Sequence, residues 1–237
     1  MDQKMILFTG GNGLLGSEFK IHLPDINYVD KEEFNIENYS EIEDYFSGRK
    51  IKQVIHAAAY TSPPKCEREP EKAIDANIIG TCNMVKICMK YNIKLTYICT
   101  DYVFKGDRGN YKEDDPVYPV NKYAWSKLGG ECAVRMYDNT LIIRTTFGPN
   151  IFPYEKAFVD QWTSRESVSE IVKMIIKVLE KDIIGTIHVG GSRKTVFQYA
   201  KNLDEKRDIR EISIYNMDFK VPADTSLDIS KYNNLIK

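Results

Sequence analysis

Short, nearly continuous apolar runs of strand length alternate with longer stretches of helical periodicity over most of the chain. That order constrains the fold more than any other feature. Strands are expected at Lys4–Gly10, Ile26–Asp30, Gln53–Ala59, Lys94–Thr100, Thr140–Thr146 and Gly185–Gly191. Helices are expected at Leu14–Leu23, Asn38–Ser47, Glu71–Tyr91, downstream of Asn121, and at Val168–Leu179. Strands apolar on both faces belong in a parallel sheet covered by helices on both sides. The expected fold class is therefore α/β, a Rossmann-like doubly wound parallel sheet with a small, abbreviated C-terminal lobe. Residues 1–148 form the core, completed by roughly 167–191, and residues 149–166 and 192–237 form the lobe. In such sheets ligands bind beyond the carboxyl ends of the strands, near the point where strand order reverses.

Composition narrows the function classes. The 237 residues, 43% of them hydrophobic, suit one substantial core or a core plus a small lobe. Thirty-three Lys and Arg nearly balance 34 Asp and Glu, so no basic excess argues for nucleic acid. The apolar run at the N-terminus is too short for a signal peptide, and no later run approaches a membrane span. Five scattered cysteines (Cys66, Cys82, Cys88, Cys99, Cys132) suggest neither zinc nor a disulfide framework. A soluble protein of a reducing cytoplasm, without metal, is the expectation. His22 belongs to the first helix, and His56 and His188 fall in expected strands, where packing suits them better than catalysis. Asp114–Asp115 reads as a solvated turn.

Three groups of residues carry chemistry. The first strand runs into "TGGNGLLGSEF", where Gly10, Gly13 and Gly16 give G-x-x-G-x-x-G between a strand and a helix. That context lets backbone approach a pyrophosphate at the helix N-terminus. Asp30 ends the second strand, placed to accept bonds from an adenosine ribose and to repel a 2′-phosphate, although Lys31 beside it offsets the repulsion. Finally, "YPVNKYAWSK" holds Y-x-x-x-K twice, as Tyr118 with Lys122 and Tyr123 with Lys127. In a chain this rich in Tyr and Lys, on the order of one or two such matches arise by chance, so spacing alone decides nothing. Pro119 pushes Tyr118 out of a helix. Asn121 is a plausible N-cap, so only Tyr123 and Lys127 share a helix face. An apolar stripe of Trp125, Leu128, Cys132 and Met136 marks the opposite face. Thr100 ends the fourth strand on the ligand side. A hydroxyl, a phenol and an ammonium thus converge beside a dinucleotide, as carbonyl reduction requires. The ammonium is expected to lower the phenol pKa.

Taken together, the chain resembles the extended short-chain dehydrogenase/reductase superfamily, and within it the dTDP-4-dehydrorhamnose reductase family. The resemblance runs nearly end to end. It includes "TGGNGLLG", "AAAYT" followed by "KCE" and Asn77, "TDYVFKG" and "PVNKYAWSKLGGE". It continues through "IIRTT", "VDQ", "HVGG" and "VPADTSLDISK". It implies a catalytic triad of Thr100, Tyr123 and Lys127. It also implies NAD(P)H contacts from Gly10, Asn12, Gly13, Leu14, Leu15, Gly16, Asp30, Asn35, Ile36, Ala58, Ala59, Tyr60, Asn77 and Lys127. For a nucleotide-sugar substrate it points to Thr61, Asp101, Tyr102, Val103 and Phe104. Arg165 and Arg193, with Lys156, could meet a pyrophosphate.

The chain departs from the family pattern in places. Cys99 stands where Ser is usual, and Phe147 where Trp is common. Arg165 and Glu166 replace Pro and Thr after "VDQ". The stretch between Pro149 and Phe158 is abbreviated, with Pro149 and Pro153 disfavouring a helix. An open substrate cleft is therefore expected, with Arg165 or Arg193 facing it, or a second copy of the chain covering it as a homodimer. Three functions compete. They are a reductase of a nucleotide-linked 4-keto-6-deoxy sugar, an NAD-dependent epimerase or dehydratase of nucleotide sugars, and a non-catalytic NAD(P)-binding regulatory subunit.

Overall fold

The computed structural model describes residues 2–237. Six parallel strands form the central sheet: β1 (Ile6–Thr9), β2 (Asn27–Val29), β3 (Gln53–His56), β4 (Lys94–Thr100), β5 (Thr140–Thr145) and β6 (Gly185–Val189). Their order is β6-β5-β4-β3-β1-β2, so the winding reverses between β1 and β3. All six lie within the expected spans. Ala57–Ala59 run on beyond β3 outside the ladder.

The inner strands are buried on both faces because helices cover both. Leu7, Val54, Leu95, Tyr97, Cys99 and Ile142 face a core shared with α2 (Tyr39–Phe46), α4 (Gly80–Tyr91) and α5 (Lys122–Val134). Ile6, Phe8, Ile55, Ile98 and Ile143 alternate with them. These pack on the other side against α1 (Leu14–His22), α6 (Val168–Leu179) and α8 (Ser230–Ile236). His56 and His188 are fully buried, as a packing role requires.

Two expectations gain detail. The helix expected over Glu71–Tyr91 runs unbroken from Pro70 to Tyr91 but carries a π-helical stretch. The helix α3 (Pro63–Arg68) precedes it, Pro70 starts a new turn, and Ile74–Ile79 is π-helical before α4 begins. Pro70 cannot continue a helix but suits a first turn. The π-turn inserts a residue that turns Asn77 inward. The second concerns α5. Asn121 caps it, accepting from the Ala124 amide at 2.9 Å. Most of its apolar stripe, however, faces outward: Trp125 is 52% and Met136 77% exposed and Cys132 is exposed as well, while Leu128 packs half-buried against the core. The buried face carries Ala124, Lys127, Gly130, Glu131 and Val134. Arg144 on β5 reaches across to Glu131, with Nη2 to Oε1 at 2.6 Å and Nε to Oε2 at 3.1 Å. A paired carboxylate can be buried where an unpaired one could not.

A third, smaller cluster of buried residues gathers Phe152, Ala157, Val196, Tyr199, Ala200 and Ile209. Here α7 (Val196–Leu203) packs near two-residue and three-residue strands. Lys156–Phe158 pairs with Arg210–Ile212, and Trp162–Thr163 with Lys194–Thr195.

Candidate active site

Every parallel strand delivers its carboxyl end to one edge of the sheet. A cleft of about 580 Å³ opens there across the reversal between β1 and β3. The turn after β1 supplies its floor. Gly10 has φ +78°, and a Cβ on it would lie 2.9 Å from the Ala58 backbone. At Gly16 a Cβ would lie 2.6 Å from the carbonyls of Gly10 and Gly11, so α1 can start hard against the turn. This close approach leaves the α1 N-terminus, with Gly13, Leu14 and Leu15, on the cleft wall.

Asp30, just beyond β2, accepts from the Asn12 amide at 2.6 Å and lines the cleft. Burial raises its pKa, against the pull of the Asn12 amide. Lys31 also lines the cleft and lies 3.8 Å from Glu37. Asn35, Ile36, Ala58, Ala59, Tyr60 and Thr61 lie along the same groove. Asn77 is buried behind it. Its Oδ1 accepts from the Tyr60 amide at 2.7 Å, and its Nδ2 donates to the Tyr60 carbonyl at 3.0 Å and Ser126 Oγ at 2.8 Å. It holds the Tyr60 segment against α5 instead of facing the cleft.

Thr100, Tyr123 and Lys127 meet where β4 and α5 converge on the cleft. Lys127 Nζ donates to the Ile98 carbonyl at 2.9 Å and sits 4.3 Å from the Tyr97 ring centre. Burial lowers its pKa to about 8. The phenol of Tyr123 behaves contrary to the expectation: burial holds it well above its ordinary value, and Thr100 beside it pulls only partly the other way. Lys127 is not among the groups that pull the phenol down; the desolvation dominates. Tyr123 therefore keeps its proton at neutral pH. Tyr102 meets the Tyr123 ring edge-on at 6.2 Å and accepts from Gln161 Nε2 at 2.5 Å.

The structure separates the remaining candidates. Asp101, Tyr102, Thr61 and Arg165 line the cleft. Val103 and Phe104 are fully buried, with Phe104 stacked on Tyr111 at 4.4 Å, and lie outside the lining. Arg193 is also outside it: it pairs with Asp224 at 2.8 Å and covers the Trp162 ring at 3.7 Å. The Arg165 Nε is buried without a hydrogen-bond partner, and Arg165 makes no ion pair among the described residues. Sequence reasoning missed Thr145, Thr146 and Phe147, which line the cleft at the end of β5 and just past it, and Glu37 beside Lys31. The signal for the first three was available, since they end a parallel strand on the ligand side.

The reversed sheet, the glycine turn and the cleft across them define a Rossmann-like α/β protein whose cleft gathers Thr100, Tyr123 and Lys127. Within that class the chain belongs to the RmlD substrate binding domain family, whose model matches residues 4–149. It is 29% identical over 196 residues to a dTDP-4-dehydrorhamnose reductase of Aggregatibacter actinomycetemcomitans, covering 78% of this chain but 62% of that protein. It is 33% identical over 139 residues to methionine adenosyltransferase 2 subunit beta of Xenopus laevis, covering 54% of this chain and 42% of that one. The chain thus spans well under the full length of both relatives. Among solved structures, dTDP-4-dehydrorhamnose reductase of Bacillus anthracis in complex with NADP superposes with a TM-score of 0.87 at 28% identity, covering 97% of this chain and 90% of that one.

Proposed function

We propose that this protein is an NAD(P)H-dependent reductase of a nucleotide-linked 4-keto-6-deoxy sugar, similar to the dTDP-4-dehydrorhamnose reductases. The observation that carries the reading is the meeting of Thr100, Tyr123 and Lys127 in one cleft with the glycine turn. The site fits a dinucleotide on its own geometry. A side chain on Gly10 or Gly16 would collide with the backbone of Ala58 or of the turn itself and push the turn out of shape, and Asp30 stands at the proposed ribose end. Gly10, Gly13, Leu14, Leu15, Asp30, Asn35 and Ala58 would hold it, and the reduced nicotinamide would supply the hydride.

This chain's residues do the rest. Tyr123, protonated at neutral pH, gives its phenolic proton to the oxygen that becomes an alkoxide. Thr100 orients that oxygen by hydrogen bonding. Lys127 has a ready alternative to its Ile98 bond. Turned toward the cleft, it reaches the cofactor ribose and stabilises the phenolate that Tyr123 leaves behind. Arg165 offers a guanidinium whose Nε has no hydrogen-bond partner to an anionic part of the substrate.

The test is a panel of purified nucleotide 4-keto sugars followed by oxidation of NADH and NADPH. Stoichiometric consumption of reduced cofactor supports the reductase, whereas turnover without net consumption points to an epimerase or dehydratase. A second reading, a cofactor-binding regulatory subunit, is favoured by the likeness to methionine adenosyltransferase 2 subunit beta. Cofactor binding without turnover of any sugar on the panel would support it. The exposed Trp125 and Met136 stripe on α5 also makes a homodimer part of the proposal, to be read by sedimentation of Trp125→Glu against the wild type.

A further inference from the structure

The hydroxyl of Thr100 has one proton and two lone pairs. Its Oγ1 accepts from the Tyr102 amide at 3.2 Å and donates to Asp101 Oδ1 at 3.1 Å. A threonine whose only proton is committed to a carboxylate cannot also donate to a substrate carbonyl. The proposed reaction needs that proton in the cleft.

We infer that Asp101 is a positioning residue that decides whether the Thr100 proton points into the protein or toward the reacting carbonyl oxygen. The inference rests on the reductase reading. An ionised Asp101 only accepts, and it holds Thr100 turned away. With a proton on Oδ1, Asp101 becomes the donor to Thr100 Oγ1, and the Thr100 proton is released to the substrate.

The carboxyl is fixed for this role. It is 1% exposed, and its second oxygen accepts from Thr225 Oγ1 at 2.6 Å. Thr225 is itself anchored, its amide donating to the Trp162 carbonyl at 3.0 Å. Asp101 therefore cannot swing away from Thr100 when its charge changes. The groups facing it are the Arg165 guanidinium, the phenols of Tyr102 and Tyr123, and the hydroxyls of Thr100 and Thr225. Burial pushes its pKa up to about 6, while Thr225, Arg165 and Thr100 pull downward. An anionic substrate group on Arg165 neutralises part of that pull. Filling the cleft thus drives Asp101 toward the protonated, donating form, and catalysis and occupancy become linked through one proton.

The experiment compares the full-length wild type, Asp101→Asn and Thr225→Val. The first measurement is kcat/KM against pH, with whichever nucleotide 4-keto sugar the panel identifies. Wild-type kcat/KM should fall as pH rises through a midpoint at or above about 6. Asp101→Asn should lose that limb. Thr225→Val removes a bond that favours the carboxylate, so the limb should move up by about one to two pH units. A purely structural role for Asp101 would leave the midpoint of Thr225→Val unmoved. The second measurement needs no turnover: infrared titration of the NADP⁺ complex, following the C=O stretch of a buried carboxylic acid. That band should be present in the wild type, absent in Asp101→Asn, and shifted in Thr225→Val as the kinetic limb is. An unchanged limb in Asp101→Asn, or no infrared titration attributable to Asp101, overturns the inference. Should Asp101→Asn fail to fold, an unshifted Thr225→Val limb and band overturn it equally. If the infrared titration is found but no keto sugar is reduced, the reductase reading fails while Asp101 stands as the group that titrates against Thr100.

Discussion

At the scale of single residues, the proposed reductase assigns proton chemistry and cofactor recognition to different side chains. Tyr123→Phe removes the phenolic proton but leaves the glycine turn and Asp30 untouched. The turnover rate should drop by roughly 10²–10⁴-fold, the usual worth of a general acid. Cofactor affinity, read by fluorescence titration of NADPH, should be nearly unchanged. Tyr118, which sits 60% exposed against Trp125, should tolerate Phe with little change in rate. Equal losses in the two variants would mean that the wrong tyrosine carries the proton. Asp30 argues for NADH accepted at least as well as NADPH, because its carboxylate holds the Asn12 amide at the ribose end. Lys31 works against that preference, but it has Glu37 3.8 Å away. Asp30→Ala should move selectivity toward NADPH. A wild type that binds NADPH far more tightly, with an unchanged variant, contradicts this role.

At the scale of elements, α5 shows what sequence patterns report well and where they mislead. Its start was legible because Asn121 is a capping residue and Pro119 excludes the alternative tyrosine. Its orientation was not. The apolar stripe of Trp125, Leu128, Cys132 and Met136 lies opposite Lys127, yet of the four only Leu128 packs against the core. The inner face holds Lys127 and Glu131, whose partners are distant in the chain. Lys127 meets Ile98 on β4, and Glu131 meets Arg144 on β5. A pairing across such separations leaves no local period. Removing one partner should therefore be costly: Glu131→Ala strands Arg144, itself 1% exposed, and should destabilise the protein by about 3–5 kcal/mol in urea unfolding. His56, on β3, gives a second element-scale test. It is bonded to Thr9 at 2.8 Å and Thr81 at 3.1 Å, and burial lowers its pKa to about 3. Below the unfolded value near 6.5, the unfolded chain binds a proton that the folded chain refuses, so stability falls with pH. From pH 7 to pH 5 this site should cost roughly 2 kcal/mol, and His56→Gln should flatten that part of the pH profile.

At the scale of the whole molecule, the sheet was legible and the smaller cluster was not. Six strands alternating with helices impose a repeating signal, and each helix is long enough to show its period. The segments around that cluster are stitched by pairs of two or three residues that are distant in the chain, such as Lys156–Phe158 with Arg210–Ile212. The cluster itself is six buried side chains. Nothing so short and non-local has a periodicity to read. The same assembly decides which cation can serve the substrate. Lys156 is exposed on one of the short strands, and Arg193 is held by Asp224 and Trp162. Only Arg165, of the three, lines the cleft, with its Nε unpartnered. A guanidinium that faces the Asp101 carboxyl without a close ion pair, and whose Nε has no hydrogen-bond partner, gains from an anion arriving with the substrate. A charge-assisted hydrogen bond is worth about 1.5–3 kcal/mol, so Arg165→Ala should raise KM for the nucleotide sugar by roughly 10- to 100-fold. Cofactor affinity should stay within about twofold, since the glycine turn lies at the other end of the groove. Arg193→Ala should instead lower thermal stability with little change in KM, because its partners, Asp224 and Trp162, do not line the cleft. Competition by free nucleoside diphosphate identifies the anion. If its inhibition weakens in Arg165→Ala by the same factor as KM rises, the pyrophosphate is what Arg165 holds. If inhibition is unchanged while KM rises, the charge lies on the sugar. An unchanged KM in Arg165→Ala removes this residue from substrate binding altogether.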